Sequence, residues 1–169
     1  RTYFGRPGVV LRKRVHIPQP AQVVEPVVQV FGNATADTTG DLVVTINGRP
    51  AARIPATQMR GGTWIEAPIE PALLQTDNVI ELRVDGEVNG TTKWVQVRID
   101  QDTHAGNSEF STDDGKTFSG SDLSPDLREQ TGEYMIRLQD QSPGGERKSP
   151  DNLMANGGFE QVVIPHDET

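Results

Sequence analysis

Apolar and polar residues alternate with a period of two along most of this chain. Segments with this pattern are bounded by glycine, proline, asparagine or aspartate. Because neighbouring side chains of a strand point to opposite faces of a sheet, the alternation predicts strands with one buried face. Seven or eight strands are predicted, over residues 23–31, 42–46, 51–54, 63–69, 79–84, 93–99, 108–111 and 133–138.

The connections between these segments are short and rich in turn residues. Asn47-Gly48 follows the second segment and Asp85-Gly86 follows the fifth. Both dipeptides are typical of tight hairpin turns. No segment shows a helical stripe of apolar residues, so the pattern predicts an all-β antiparallel β-sandwich with extended N- and C-terminal tails.

The alternation also predicts which side chains fill the interior. Inward positions must lie two residues apart within a strand. The predicted core residues are Val28, Val30, Val44, Ile46, Ile80, Leu82, Val95, Val97, Ile99, Leu138 and either Met135 or Ile136.

The opposite face of segment 93–99 is the first candidate binding site. Trp94, Gln96 and Arg98 share that face, while the aliphatic residues between them face the core. An outward tryptophan beside two hydrogen-bonding side chains is typical of a carbohydrate or partner contact. The other tryptophan, Trp64, is expected to pack inside the sandwich, where most aromatic side chains of such domains lie.

The two ends of the chain differ from the middle in composition. We predict four parts: a basic N-terminal arm at 1–21, a sandwich domain at 22–139, a polar linker at 140–152, and a C-terminal strand segment at 153–169. An apolar stretch outside the domain suits strand addition between chains. The candidate assembly residues are Val9, Val10, Leu11, Phe159, Val162, Val163 and Ile164.

Charge and composition argue against several kinds of partner and site. The 169 residues carry a net charge of -8, which argues against a nucleic-acid partner because such proteins present a basic face. No cysteine is present, so disulfides, thiolate zinc sites and thiol nucleophiles are excluded. No window of 18 apolar residues occurs, and therefore no membrane span is predicted.

Catalytic motifs are missing from the sequence. The histidines, His16, His104 and His166, lack metal-ligand spacing, and no G-x-S-x-G motif is present. Carboxylates are plentiful, but abundance alone does not indicate a glycosidase pair. We therefore predict a protein without catalytic residues, with a hydrolase as the minor alternative.

One acidic loop is a candidate calcium site. Ca²⁺ takes six to eight oxygen ligands, and clustered oxygen donors occur between residues 100 and 114. The alternative is turn chemistry, in which Asp and Asn side chains accept hydrogen bonds from nearby backbone amides. The candidate ligands are Asp100, Asp102, Asn107, Asp113 and Asp114.

The middle of the chain resembles the galactose-binding-like jelly roll of secreted bacterial proteins. From Gly62 to Val84, a strand with Trp64 leads into a proline turn, a Leu-Leu pair, an Asn turn and an I-x-L-x-V strand. Segments 42–50 and 108–118 resemble turns of the same domains. Residues 152–160 are similar to the opening strand of carbohydrate-binding modules.

This resemblance implies a jelly-roll fold and an extracellular or cell-surface location. Such modules accompany glycoside hydrolases, often bind a glycan, and often hold structural Ca²⁺. It also implies that the C-terminal segment begins a second module. The sequence thus predicts a non-catalytic module that binds a carbohydrate or supports a larger secreted protein. The alternative is a structural subunit of a surface assembly or filament, homo-oligomeric or bound to other chains through its terminal strands.

Deleting residues 150–169 tests the C-terminal prediction. Docking Phe159, Val162, Val163 and Ile164 is worth on the order of 8 kcal/mol, and ordering the segment costs at least as much. The segment therefore needs backbone pairing as well, and an ordered strand is predicted within 158–164. The truncated protein is expected to aggregate or to lose assembly, measured by light scattering and sedimentation. An unchanged melting temperature and association state would contradict this.

Overall fold

The computed structural model describes residues 2–4, 6–89, 91–124 and 130–142, with the backbone alone for residues 2 and 3. Within these ranges the chain forms strands and short 3-10 helices at Pro20–Gln22, Ala56–Met59 and Pro71–Leu73. The strands are β1 Thr2–Phe4, β2 Val10–His16, β3 Pro26–Ala34, β4 Asp41–Ile46, β5 Arg49–Pro55, β6 Thr63–Pro68, β7 Asp77–Asp85, β8 Val95–Val97, β9 Ile99–Asp100, β10 Ser108–Ser111, β11 Glu133–Tyr134 and β12 Ile136–Asp140.

The strands form two five-stranded antiparallel sheets and one short ladder. In the first sheet the order is β1-β8-β3-β12, and β6 pairs with β3 on its other side. In the second sheet the order is β10-β2-β7-β4-β5, and β9 pairs with β11 in the short ladder. One continuous cluster of buried apolar residues includes side chains from both sheets. The all-β antiparallel prediction is confirmed, and the arrangement is sandwich-like.

Local turn chemistry sets the hairpin between β4 and β5. Asn47 and Gly48 both have positive φ, at 53° and 76°, which matches the two central positions of a type I′ turn. The Asn47 side chain accepts a hydrogen bond from Val79 N at 2.9 Å, which ties the turn to β7. β5 is the edge strand of the second sheet, where prolines such as Pro50 are tolerated because one side of the strand needs no donor.

The predicted core is confirmed. Period-two alternation places one face of each main strand inside, and eleven of the predicted side chains lie there at no more than 5% exposure. Of the two alternatives at the start of β12, Ile136 is buried and Met135 is half-buried. The buried set is Val28, Val30, Val44, Ile46, Ile80, Leu82, Val95, Val97, Ile99, Ile136 and Leu138.

Residues of the expected N-terminal arm belong to the sandwich instead. β2 lies inside the second sheet, paired with β10 on one side and β7 on the other. Val9, Val10 and Leu11 are buried within the domain, so they are core residues and are not available for assembly. The boundary expected at residue 22 is corrected, because the strands already begin in the first residues of the chain.

The remaining terminal predictions fall beyond the described part of the chain. β12 ends at Asp140, where the polar linker was predicted to begin. The segment 153–169, with Phe159, Val162, Val163 and Ile164, lies outside the described residues. The prediction of a strand within 158–164 therefore stays a prediction.

A buried ion pair explains why a basic sequence forms an internal strand. Lys13 lies on the core-facing side of β2, between Leu11 and Val15, and is 1% exposed. Its Nζ lies 2.9 Å from Glu133 Oε2 and donates to Tyr134 O at 3.0 Å. The pair therefore ties the second sheet to the β9–β11 ladder.

The Glu133 carboxylate is satisfied on every side by donors from the same region. It accepts hydrogen bonds from Asn107 N at 2.8 Å and from Ser108 Oγ at 2.5 Å, besides its contact with Lys13. Burial lowers the pKa of Lys13, while the charge and hydrogen bond of Glu133 oppose that shift. A buried charge is tolerated only when paired and hydrogen-bonded in this way.

Replacing Lys13 tests this interaction. Lys13→Ala leaves the buried Glu133 carboxylate without its cation, and we expect the free energy of unfolding at pH 7 to fall by about 3–5 kcal/mol in urea titrations. Lys93→Ala is the matched control, because its partner Glu87 is 71% exposed and surface pairs contribute about 0–1 kcal/mol. Equal effects of the two substitutions would show that the buried pair does not stabilise the fold.

Candidate functional site

The outer face of the first sheet carries aromatic and planar polar side chains. Along β3 the inward residues Val28 and Val30 alternate with the outward residues Gln29 and Phe31. Antiparallel pairing places Trp64 opposite Phe31, and both Glu66 and Arg137 opposite Gln29. Cross-strand neighbours on one face lie close enough to interact, so this register assembles the face from distant parts of the chain.

Two aromatic rings and two guanidinium groups form a row on this face, here called the aromatic row: Arg98, Phe31, Trp64 and Arg137. The two rings meet edge to face, with centroids 5.6 Å apart and planes at 85°. The guanidinium carbon of Arg98 lies 5.4 Å from the Phe31 centroid, and that of Arg137 lies 4.2 Å from the Trp64 centroid. Such cation–π contacts fix the orientation of both arginines.

Hydrogen bonds hold one end of the aromatic row in place. Arg137 Nε donates to Gln29 Oε1, and Gln29 Nε2 donates to Glu66 Oε1. Gln141 Nε2 donates to the other Glu66 oxygen at 2.5 Å. Burial lowers the pKa of Arg137, opposed by the nearby charge of Glu66. The Arg137 end of the row is therefore a closed network with its polar groups engaged.

The other end of the row opens into a cavity of about 210 Å³, here called the Phe31 cavity. Gly61 and Gly62 form its rim and both have positive φ, at 88° and 73°, a conformation that favours glycine. A Cβ built at Gly62 would lie 3.8 Å from the Phe31 ring, so the glycine keeps the approach to the ring open. The lining residues are Phe31, Gly32, Asn33, Gly61, Gly62, Gln96 and Arg98.

The polar side chains in the Phe31 cavity have no partners within the described part of the chain. Gln96 is only 4% exposed, yet its side-chain amide makes no hydrogen bond to any described residue. The side chains of Asn33 and Arg98 likewise make none. The amide of Gln96 lines the cavity and is not counted among the buried atoms without a partner, since Ser124 Oγ is the one such side-chain atom in the described residues. These donors and acceptors are therefore accessible from the cavity, where a ligand can hydrogen-bond to them.

The predicted patch of Trp94, Gln96 and Arg98 is brought together in part. The predicted register is right, since Val95 and Val97 are buried in the core and Gln96 lies on the opposite face. Gln96 and Arg98 line the Phe31 cavity, but Trp94 does not. Trp94 is half-buried just before β8, where its backbone exchanges hydrogen bonds with Thr35.

The position of Trp64 differs from the prediction made from the sequence. It was expected inside the sandwich, but its strand neighbour Ile65 takes the inward position and Trp64 lies on the outer face against Phe31. Phe31 could have been found from the alternation of β3 alone, because it follows the inward Val30. Its partnership with Trp64 depends on the pairing of β3 with β6, which no local pattern encodes.

A second, shallower depression lies on the other side of Arg98. It has a volume of about 430 Å³ and is lined by Arg98, Ile99, Asp100, Gln101, Asp102 and Met135. The Asp100 carboxylate is engaged there, accepting from Asp102 N at 3.1 Å and Thr103 Oγ1 at 2.9 Å. Arg98 therefore lies between a cavity whose described lining holds no carboxylate and a depression lined by Asp100 and Asp102.

The five candidate calcium ligands divide among separate hydrogen-bonded groups. Asp113 accepts from Thr117 N and Thr117 Oγ1 at 2.9 and 2.6 Å, and from Lys116 N at 3.1 Å. Asp114 pairs with Arg83 at 2.5 Å, and Asn107 N donates to Glu133. These contacts are turn chemistry and ion pairing. Among the described residues, no group of three His, Asp or Glu side chains is arranged to hold a metal.

The outer face of the second sheet contrasts with that of the first. Arg12 pairs with Glu81 at 2.6 Å, and its guanidinium lies 3.4 Å from the Phe118 centroid. Arginines elsewhere on this face have carboxylate partners as well, so the face is largely neutralised. These pairs are Arg14 with Glu109 at 2.9 Å, Arg83 with Asp114 at 2.5 Å, and Arg53 with Asp41 at 3.1 Å.

Comparison with known proteins gives no family for this chain. The chain matches no protein-family model and no curated protein sequence. None of the helices in the described ranges has the length and apolar character needed to cross a membrane.

The Asp113 turn yields a test that separates turn chemistry from calcium binding. Hydrogen bonds from the Thr117 hydroxyl and amide, and then from Ser111, hold the pKa of Asp113 below its usual range. A lowered folded-state pKa contributes stability above the unfolded value of about 4, and this is lost as pH falls below it. Asp113→Ala should therefore lower the melting temperature at pH 7 and reduce its fall between pH 7 and pH 3.

Asp37→Ala serves as the control for this experiment, because Asp37 is exposed and lies in a different turn. It should leave the acid dependence unchanged. The melts are repeated with Ca²⁺ and with a chelator, and turn chemistry predicts the same melting temperature in both. A rise in Ca²⁺ that Asp113→Ala abolishes would support the calcium prediction instead.

Proposed function

We propose that this chain is a non-catalytic β-sandwich module of an extracellular protein that binds a carbohydrate in the Phe31 cavity. The observation that carries the proposal is the set of unpartnered polar groups around one aromatic ring: the buried Gln96, with Asn33 and Arg98. The sandwich-like architecture agrees with the jelly-roll resemblance, and we propose the jelly-roll type as part of this function.

Sugar recognition requires what this cavity offers. A pyranose has an apolar face of C–H groups that packs on an aromatic ring, and a rim of hydroxyls that both donate and accept hydrogen bonds. The Phe31 ring supplies the first kind of contact, and the Asn33 and Gln96 amides supply both a donor and an acceptor each. A volume of about 210 Å³ is below the usual range for drug-sized ligands, which favours a single sugar unit at the end of a glycan.

The lining of the Phe31 cavity favours binding over catalysis. Glycoside hydrolysis uses a pair of carboxyl groups across the scissile bond, and the described residues that line the cavity include no carboxylate, histidine or hydroxyl side chain. Amides and a guanidinium group do not serve as general acids or bases near neutral pH. The residues present can hold and orient a sugar and do not supply an acid–base pair.

The alternative of a filament or surface subunit has less support. This alternative needs assembly contacts from both ends of the chain. The N-terminal candidates are Val9, Val10 and Leu11, which are buried inside this domain. The C-terminal candidates belong to residues 153–169, outside the described residues. The aromatic row does contain tryptophan and arginine, which are common at protein interfaces, but its Arg137 end is internally hydrogen-bonded.

Glycan binding is tested by screening the full chain on a glycan array and titrating each hit by calorimetry. Gln96→Ala removes the buried amide, which makes no hydrogen bond to the described residues, so the melting temperature should change little. We expect the Kd of the best hit to rise by about tenfold or more, the loss of one to two good hydrogen bonds. Gln75→Ala is the matched control, since Gln75 is exposed and its side chain is remote from the cavity lining.

Two outcomes would contradict the proposal. The first is a wild-type chain that binds no glycan on the array or in solution. The second is a glycan whose affinity is the same for the wild type, Gln96→Ala and Gln75→Ala, because the ligand then binds elsewhere on the protein.

A further inference from the structure

We propose that the sugar bound in the Phe31 cavity is acidic, and that Arg98 binds its carboxylate. This inference rests on the proposed function and adds the chemical class of the ligand. It starts from a contrast in charge pairing. Arg98 is exposed and makes neither an ion pair nor a hydrogen bond with its side chain to any described residue. Other arginines have carboxylate partners, namely Arg12, Arg14, Arg53 and Arg83. Arg49 and Arg60 donate to backbone carbonyls instead, so Arg98 differs from these six in making no side-chain hydrogen bond to the described residues.

The Arg98 side chain is held in position although it lacks an ionic partner. Its backbone N donates to Phe31 O at 3.0 Å, and its carbonyl accepts from Met135 N at 2.8 Å. Its guanidinium lies 5.4 Å from the Phe31 centroid, the same ring that lines the cavity. A guanidinium restrained in this way loses less conformational entropy on binding a ligand than a freely rotating one.

The other polar groups of the cavity complement an anion. Gln96 and Asn33 are neutral and carry N–H donors, and the described lining residues include no carboxylate that would repel an acid. A carboxylate can accept two parallel hydrogen bonds from one guanidinium, and such charge-assisted bonds are roughly twice as strong as neutral ones. The sugar hydroxyls can then hydrogen-bond to the amides of Asn33 and Gln96. The carboxylate and the hydroxyls of an acidic sugar each have a partner in the cavity.

The depression on the far side of Arg98 fixes the direction of the ligand. Asp100 and Asp102 line it, and the Asp100 carboxylate is already engaged by Asp102 N and Thr103 Oγ1. A second carboxylate would be repelled there. The acidic group therefore lies on the Phe31 side of the guanidinium, within the cavity.

Matched pairs of glycosides test this inference by NMR titration of the full chain. The pairs are methyl glucuronide with methyl glucoside and methyl galacturonide with methyl galactoside, which differ only in the carboxylate. We expect at least one acid to bind about tenfold or more tightly than its neutral partner. Arg98→Gln should reduce that ratio to near one without changing the melting temperature. Arg98→Lys should give an intermediate ratio, because lysine keeps the charge but not the bidentate geometry.

Arg49→Gln is the control, since Arg49 is exposed and its guanidinium contacts only Ala72 O, outside the cavity. Acetate is the probe for a carboxylate without a sugar. If neither acid binds more tightly than its neutral partner while glycans still bind, the acidic preference is overturned and the proposed function stands. If acetate binds as tightly as the acids, the sugar contributes nothing and the inference is overturned. If no glycoside and no array glycan binds, both proposals fall.

Discussion

Both the core and the candidate site depend on the alternation of side chains along β3. This strand pairs with β6 on one side and with β12 and β8 in succession on the other. Its inward valines meet the core, and its outward Gln29, Phe31 and Asn33 form the centre of the outer face. A shift of one residue would exchange these two sets. The buried valines therefore fix the position of the aromatic ring that the site uses.

A second constraint is electrostatic and joins the sheets at one end. Lys13 occupies a core-facing position that an aliphatic residue would otherwise fill, and it is stable there because Glu133 lies 2.9 Å away. Glu133 in turn accepts from Asn107 N and Ser108 Oγ. The pair links β2, β10 and β11, so strands separated by some 120 residues in sequence hold one another in register. Such pairs add specificity to a fold because few other packings satisfy both charges.

The strands that follow a simple period are predicted from the sequence, whereas β1 and β2, which do not, are missed. Val95 and Val97 were correctly placed because only polar residues separate them. The sequence predicts a basic arm where β2 lies, because Arg12, Lys13 and Arg14 interrupt the alternation. Lys13 takes the inward position that the alternation requires. Its burial depends on the ion pair with Glu133 and cannot be predicted from the residues around it. Gln96 was likewise assigned to the correct face, but its burial depends on neighbouring strands that the segment alone does not specify.

The two outer faces show why binding is placed on the first sheet. On the outer face of the second sheet, Arg12, Arg14 and Arg83 each meet a carboxylate, and Arg49 at the start of β5 donates to Ala72 O. On the first sheet, the Arg137 end is equally closed, through Gln29 and Glu66. Toward the glycine rim, Gln96, Asn33 and Arg98 make no side-chain hydrogen bond to the described residues, and they lie around the Phe31 ring. Polar groups that the fold itself engages are not available to a ligand, whereas these three keep their donors and acceptors accessible from the cavity, which is why we place the binding site there.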